Sequence, residues 1–311
     1  MKVDMRDAFF DQLVKAAYRD ERIVFLTADH GAFALKKFEE EMPDRYFNLG
    51  IAEQNMMGVA AGLAASGKIV FAYGIAPFVS LRVLEQLTID IAAMRLPVNV
   101  VSVGAGFTYS TDGPTHHGLQ DMSAVLTIPN MTVVNSSDPE NTRHFVDRVI
   151  EAPGPYYIRI EKEKVESLPR ADTKINWKED GFSIIKDSQK RSILVLSTGI
   201  LIHQLMEWVE ELEVELGLKF TLVDSFRVKP LPDKLIKMFQ EFNQVIVIEE
   251  GYVSGLAAQV LIKAAELNMQ PASVELINLP ERFYFEYDER PALLSRLKLK
   301  ERITRICLGK R

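Results

Sequence analysis

Glu53 lies in the run Asn48-Leu49-Gly50-Ile51-Ala52-Glu53-Gln54-Asn55-Met56-Met57-Gly58-Val59-Ala60-Ala61-Gly62-Leu63-Ala64-Ala65-Ser66, where one carboxylate opens a helix made mostly of small residues. The partial positive charge at a helix N-terminus is itself enough to favour an acid there. Gly58 and Gly62, one turn apart and accompanied by Ala61 and Ala65, offer a flat face suited to very close packing against a partner subunit. Further on, Thr111-Asp112-Gly113-Pro114-Thr115-His116-His117-Gly118 sets a Gly-Pro turn between an acid and an imidazole, which can aim both at a polar ligand. His117 reads as a supporting or solvent-facing imidazole. Adjacent histidines without a carboxylate-rich shell do not make a metal site, and none is expected in this chain. Arg6 and Arg159 carry guanidinium forks that suit a phosphate dianion or, equally, a structural carboxylate.

These residues need a scaffold. The 311 residues, 47% of them hydrophobic, can bury a sizeable core and are enough for two ordinary domains. An amphipathic helix is expected over 7–19 and a buried strand from Ile23 to Ala28. Further strands are expected at Ile69–Tyr73, Val98–Val103, Thr132–Val134 and Tyr156–Ile160, separated by helices at 52–66, 79–94 and 139–151. Strands alternating with helices predict a parallel sheet covered on both faces. Charges, prolines and glycine accumulate after Glu161, so the domains are expected at 1–163 and 190–311, joined by a linker over 164–189. In the second domain the alternation restarts, with strands at 192–196, 220–223 and 245–248 and helices at 201–216, 232–241 and 254–267. The predicted fold class is α/β, two domains, each a mostly parallel sheet flanked by helices.

Net charge is −6 with scattered basic residues, which gives no reason to expect a nucleic-acid or anionic-membrane partner. The single cysteine, Cys307, excludes an internal disulfide and fits a reducing compartment, so a cytoplasmic, unprocessed protein is expected. No apolar run reaches the about eighteen residues that span a bilayer.

Gly50-Ile51-Ala52-Glu53-Gln54-Asn55 followed by Ala60-Ala61-Gly62-Leu63-Ala64 resembles the pyrimidine-domain signature of transketolases and deoxyxylulose-phosphate synthases. Asp112-Gly113-Pro114-Thr115-His116, roughly sixty residues on and in the right order, resembles a second transketolase loop. The resemblance implies thiamine diphosphate as cofactor. It implies that Glu53 hydrogen-bonds a ring nitrogen of the aminopyrimidine and so promotes the imino tautomer that removes the thiazolium proton. Such a carboxyl must be buried and must hold or share a proton, and a subunit interface supplies that burial. By the same resemblance Asp112 would bond a hydroxyl of the donor sugar, and His116 would contact the oxygen next to the scissile bond. Phe78, in Phe78-Val79-Ser80-Leu81-Arg82-Val83-Leu84-Glu85-Gln86, would stack on the aminopyrimidine, although a core role is the competing reading. Three residues earlier Ile75 replaces the family's usual second aromatic, leaving either a less aromatic pocket or compensation by Tyr73. Asp29 resembles the acid near the cofactor and dimer interface, and Arg6 lies twenty-three residues before it, as in transketolases. His30 is either structural or substrate-facing. Phe33 stands where transketolases often have a phosphate-binding serine and Gly104 where they have a substrate-contacting histidine, so the substrate end of the pocket is expected to be rebuilt. Residues 224–231 and those from Glu249 onward resemble the family's carboxy-terminal domain, which makes Glu249 and Glu250 structural or interface acids.

The Gly-Asp-Gly segment with which thiamine enzymes hold the metal and diphosphate is missing. A hard cation needs several oxygen ligands, so the Mg2+ or Ca2+ is expected on a separate cofactor-binding subunit, in an assembly of two chains of each kind. Self-association through the pyrimidine domain is expected too. The leading reading is therefore one subunit of a split transketolase, moving a two-carbon ketol unit between sugars, with sugar phosphates expected. The alternatives are a deoxyxylulose-phosphate-synthase-like use of pyruvate and the beta subunit of a 2-oxo-acid dehydrogenase. From other classes, a dinucleotide-binding oxidoreductase has only Gly104-Ala105-Gly106 in its favour. A non-catalytic assembly subunit would tolerate loss of Glu53.

Overall fold

The structure is a computed structural model and describes residues 1–31, 34–170, 180–269 and 273–309. Fourteen strands are present among them: β1 Val3–Asp4, β2 Ile23–Thr27, β3 Tyr46–Asn48, β4 Ile69–Ile75, β5 Val98–Val103, β6 Thr132–Asn135, β7 Tyr156–Ile160, β8 Lys164–Val165, β9 Ser183–Lys186, β10 Ile193–Ser197, β11 Phe220–Asp224, β12 Arg227–Lys229, β13 Gln244–Ile248 and β14 Val274–Ile277. The α-helices are α1 Met5–Ala17, α2 Leu35–Glu41, α3 Glu53–Ala65, α4 Leu84–Gln86, α5 Asp121–Leu126, α6 Pro139–Glu151, α7 Leu201–Leu216, α8 Asp233–Met238, α9 Leu256–Glu266, α10 Arg290–Arg296 and α11 Leu299–Cys307.

Every residue of β2, β5 and β7 is buried, as strands covered on both faces require. They form the centre of a seven-stranded sheet in the order β12-β6-β7-β5-β4-β2-β3, parallel except for β12. Phe9, Phe10 and Leu13 of α1 pack with Phe145 and Val149 of α6 over one face. Met56, Met57 and Ala60 of α3, with Val83, Leu87 and Ile91, cover the other. Caps set where two of these helices begin. Asp4 accepts a hydrogen bond from the Arg6 backbone N–H at 2.9 Å, and Asp138 one from Asn141 at 2.7 Å, with Pro139 at the first turn. The second sheet runs β14-β13-β10-β11-β9, with only β9 antiparallel, and packs a core of Ile193, Val195, Leu205, Val209 and Ile303.

Three features differ from the expected layout. The stretch 164–189 is not a bare linker: β8 pairs with β1 in the first half and β9 pairs with β11 in the second. Residues 171–179 lie outside the described ones. The division is also not linear, because β12, from the second half of the sequence, adds an antiparallel edge to the first sheet against β6. Finally, 79–94 is not one regular helix but a 3-10 turn at Leu81–Val83, α4, and a π-helical stretch at Leu87–Ala92. Among the described residues no helix is long and apolar enough to cross a membrane.

Candidate active site

Glu53 is the first residue of α3 and only 5% exposed. Its Oε2 accepts a 2.7 Å charge-assisted hydrogen bond from Nη1 of Arg82, whose guanidinium also lies 4.3 Å from the centre of the Phe78 ring. Gln54 reaches back to the Arg82 carbonyl at 3.1 Å, fixing the turn after β4 against the start of α3. Phe78 in turn meets the His116 ring edge-on, with centroids 5.2 Å apart. Glu53, Phe78 and His116, distant in sequence, thus form one continuous wall through Arg82.

The loop that carries His116 leaves β5 at Gly104 and is knitted shut by paired backbone bonds between Gly106 and Gly118, each 2.9 Å. A side chain on Gly118 would run into the Gly104 carbonyl oxygen, so this crossing requires glycine. His116 Nδ1 is 2.9 Å from Thr115 Oγ1, and its backbone N–H bonds the Gly113 carbonyl at 3.0 Å. Asp112 is exposed on the 3-10 turn Ser110–Asp112 just before Gly113, whose φ is +78°. His117 takes the supporting role rather than the solvent-facing one. It is 2% exposed, stands edge-on to Phe107, faces the Ser110 carbonyl at 3.3 Å, and burial lowers its pKa.

Asp29 is exposed beyond β2, with φ +57°, and is tied to the Glu53 approach by Asn48. The Asn48 side chain donates to Asp29 Oδ1 at 3.2 Å and accepts from the backbone N–H groups of Asp29 and Gly50, both at 3.0 Å. His30 is largely buried, and its Nε2 has no hydrogen-bond partner among the described residues. Burial, with the charges of Arg6 and Lys162, pushes its pKa down to about 4. Tyr73 does not compensate for Ile75: it is fully buried in the aromatic core against Phe10 and His30, at 5.1 Å from each, on the same face as Ile75. Phe33 lies outside the described residues.

The two arginines part company. Arg6 pairs with Asp4 at 3.3 Å and remains partly open. Arg159 is a correction to the expected phosphate contact. Its buried fork is engaged by Asp121 at 2.8 and 3.0 Å and by the Gly118 carbonyl at 2.9 Å, so it braces the His116 loop instead of facing a ligand. The cation that does reach the site's rim is Lys162, whose Nζ lies 5.1 Å from the centre of the Tyr109 ring. Sequence reasoning missed it because it sits past the end of β7, among other charges, with no motif around it. Arg82 was visible as a pattern position, but its contact with Glu53 was not.

The second domain supports the same loop. Glu250 accepts from the Phe107 backbone N–H at 2.7 Å and pairs with Arg290 at 2.7 Å, while Arg290 also reaches Glu161 at 3.5 Å. Glu161 is hydrogen-bonded by Thr108. Glu249 accepts from Leu256 and Ala257 at the start of α9 and from Asn278. Both acids therefore have the structural role expected of them. A small cavity of about 20 Å³ lies among these residues, lined by Arg159, Glu161, Glu249, Glu250 and Arg290 among others.

The folded chain is thus an α/β protein of two mostly parallel sheets whose motif-bearing loops meet at the strand ends of the first sheet. The description "Transketolase, pyrimidine binding domain" matches residues 1–167 and "Transketolase, C-terminal domain" matches residues 183–300. The chain belongs to the transketolase family. It is 34% identical over 256 residues to the 6-deoxy-6-sulfo-D-fructose transketolase subunit of Clostridium sp. (strain MSTE9), covering 81% of this chain and 77% of that one. It is 31% identical over 303 residues to the 1-deoxy-D-xylulose-5-phosphate synthase of Corynebacterium diphtheriae, covering 94% of this chain but only 46% of that protein. Among solved structures it is similar to one described as a split gene transketolase, inactive beta4 tetramer, at 30% identity and a TM-score of 0.84, covering 96% of this chain and 94% of that one.

Proposed function

We propose that this chain is the pyrimidine-binding subunit of a split, thiamine-diphosphate-dependent transketolase that moves a two-carbon ketol unit between sugars. One observation carries the reading: Glu53, Phe78 and His116 share a wall on which a planar cation, Arg82, is already stacked on Phe78 and hydrogen-bonded to Glu53. A planar aminopyrimidine would make the same two contacts, so these residues fit that group. When bound, thiamine diphosphate supplies the carbanion chemistry that breaks and forms the carbon–carbon bond. With Arg82 displaced, Phe78 would hold the aminopyrimidine by stacking, and Glu53 would share a proton with its ring nitrogen. His116 and Asp112 orient oxygens of the sugar, and Asp29 completes the rim. Arg6 and Lys162 attract an anionic group at the far end.

The metal and diphosphate belong to a second chain carrying the Gly-Asp-Gly segment, with two copies of each chain in a cytoplasmic enzyme. The subunit descriptions of similar proteins, and the inactive assembly of beta chains alone in the split transketolase, support this division. So does α3, where Gly58 and Gly62 are exposed with open space above them. Similarity to deoxyxylulose-phosphate synthases favours pyruvate as the second donor to examine. Mixing the chain with the product of a companion gene, thiamine diphosphate and Mg2+, then offering a ketose phosphate, an unphosphorylated ketose or pyruvate, tests the reading. Consumption of a ketose with release of its shortened aldose supports it. Consumption of pyruvate alone with carbon dioxide release supports the synthase reading, and no turnover of any donor overturns both.

A further inference from the structure

Gly104 follows β5 with φ +98°, and a Cβ built on it would lie 2.5 Å from Cδ2 and Cε2 of Tyr109. No side chain can stand at position 104 while Tyr109 keeps its place, because the tyrosine, five residues later, fills that space itself. The ring is held firmly. It is 8% exposed and packed into the core beneath the sheet's end, with Lys162 Nζ 5.1 Å from its centre. Its centroid is 6.2 Å from that of His116, on the continuation of the wall that runs from Phe78. The phenol also lies within the electrostatic reach of the Arg6 guanidinium and of the Asp112 and Glu161 carboxylates. Burial pushes its pKa up to about 12, so the hydroxyl is a neutral donor and acceptor across the working pH range.

We infer that Tyr109 is a specificity-determining residue of the proposed transferase. The edge of its ring fills the space that Gly104 leaves, and its hydroxyl hydrogen-bonds an oxygen of the donor sugar beyond the carbons that meet His116. The inference rests on the transferase reading. It selects donors that extend past the two-carbon unit and carry a hydroxyl or anionic oxygen there, with Lys162 and Arg6 alongside. Pyruvate, whose single carbon beyond the transferred unit is the carboxylate next to the scissile bond that leaves as carbon dioxide, has no oxygen further along the chain to reach it.

The experiment has two arms. In the first, the complex of this chain with its cofactor-binding partner is compared with the Tyr109→Phe variant, which keeps the ring and its packing. For the preferred ketose, KM is expected to rise about tenfold or more with kcat within a few-fold, by the same factor from pH 6 to 9, and turnover of pyruvate, where present, is unchanged. Equal kcat/KM for wild type and variant with every ketose overturns the inference while leaving the transferase reading intact. A wild-type complex inactive on all ketoses removes both. In the second arm, thermal melting of the chain alone compares Gly104→Ala, Tyr109→Ala and the double variant. The methyl at 104 collides with the ring only when the ring is present, so the double variant is expected to lose clearly less than the two single losses added together. Strict additivity would mean that Tyr109 does not occupy the space at 104.

Discussion

Glu53 and Arg82 illustrate how a residue's neighbour changes what its type implies. An acid at a helix start has an ordinary explanation, but this one is nearly sealed from water and its hydrogen bond comes from a guanidinium stacked on an aromatic ring. Replacing Glu53 by Gln keeps the shape and removes the proton-sharing carboxyl. Turnover by the assembled enzyme should fall by about 10²-fold or more, the scale of a lost acid–base group, while sedimentation shows the assembly preserved. Undiminished turnover would instead fit a non-catalytic subunit. Arg82→Ala tests the other side of the pair. Half-exposed ion pairs are worth only about 0.2–1 kcal/mol, so freeing the seat should tighten thiamine diphosphate binding a few-fold in calorimetric titration. Weaker binding would show that Arg82 holds the cofactor instead of making way for it.

At the scale of elements, the loop from Gly104 to Gly118 is shaped by its crossing and by supports on both domains. Gly118→Ala would force a methyl against the Gly104 carbonyl, and the denaturant midpoint should drop by the equivalent of about 1–3 kcal/mol, the usual cost of overpacking. The end of β11 carries a different tension. Asp224 is fully buried where the domains meet, accepts a hydrogen bond from Ser137, and has one oxygen without a partner among the described residues. Burial raises its pKa to about 7 from an ordinary value of 3.8. The folded chain thus holds this proton more tightly than the unfolded chain, and stability contributed by Asp224 falls as pH rises from about 4 to about 7. Asp224→Asn should raise the melting temperature at pH 8 more than at pH 5, and an equal shift at both would contradict the assignment. The strands and the helices 139–151 and 201–216 were legible in the sequence because each is long and strongly patterned. By contrast β1, β3, β8, β9, β12 and β14 were not, being short segments whose pairing depends on distant partners. The site followed the same rule. Its motif residues could be read, whereas the engagement of Arg159 by Asp121 and the place of Lys162 beside Tyr109 show only in the folded chain.

At the scale of the whole molecule, α3 faces outward with two glycines that no contact among the described residues requires. Glycine in a helix interior costs about 0.5–1 kcal/mol relative to better helix formers, so Gly58→Leu should strengthen the isolated chain slightly while blocking close approach by another subunit. Light scattering should then show smaller species than wild type at a matched or higher denaturant midpoint. Assembly as before would place the contact elsewhere. The sheet topology imposes a further constraint on any attempt to divide the molecule. The segment Arg227–Lys229 hydrogen-bonds to β6, and Phe226 packs on Phe145, so the first sheet is finished by residues synthesised some ninety positions after its last parallel strand edge is made. A nascent or clipped fragment that stops short of Lys229 therefore carries a naked strand edge at β6. That edge would recruit other β segments, making partial chains prone to aggregate even though each family domain looks separable on paper.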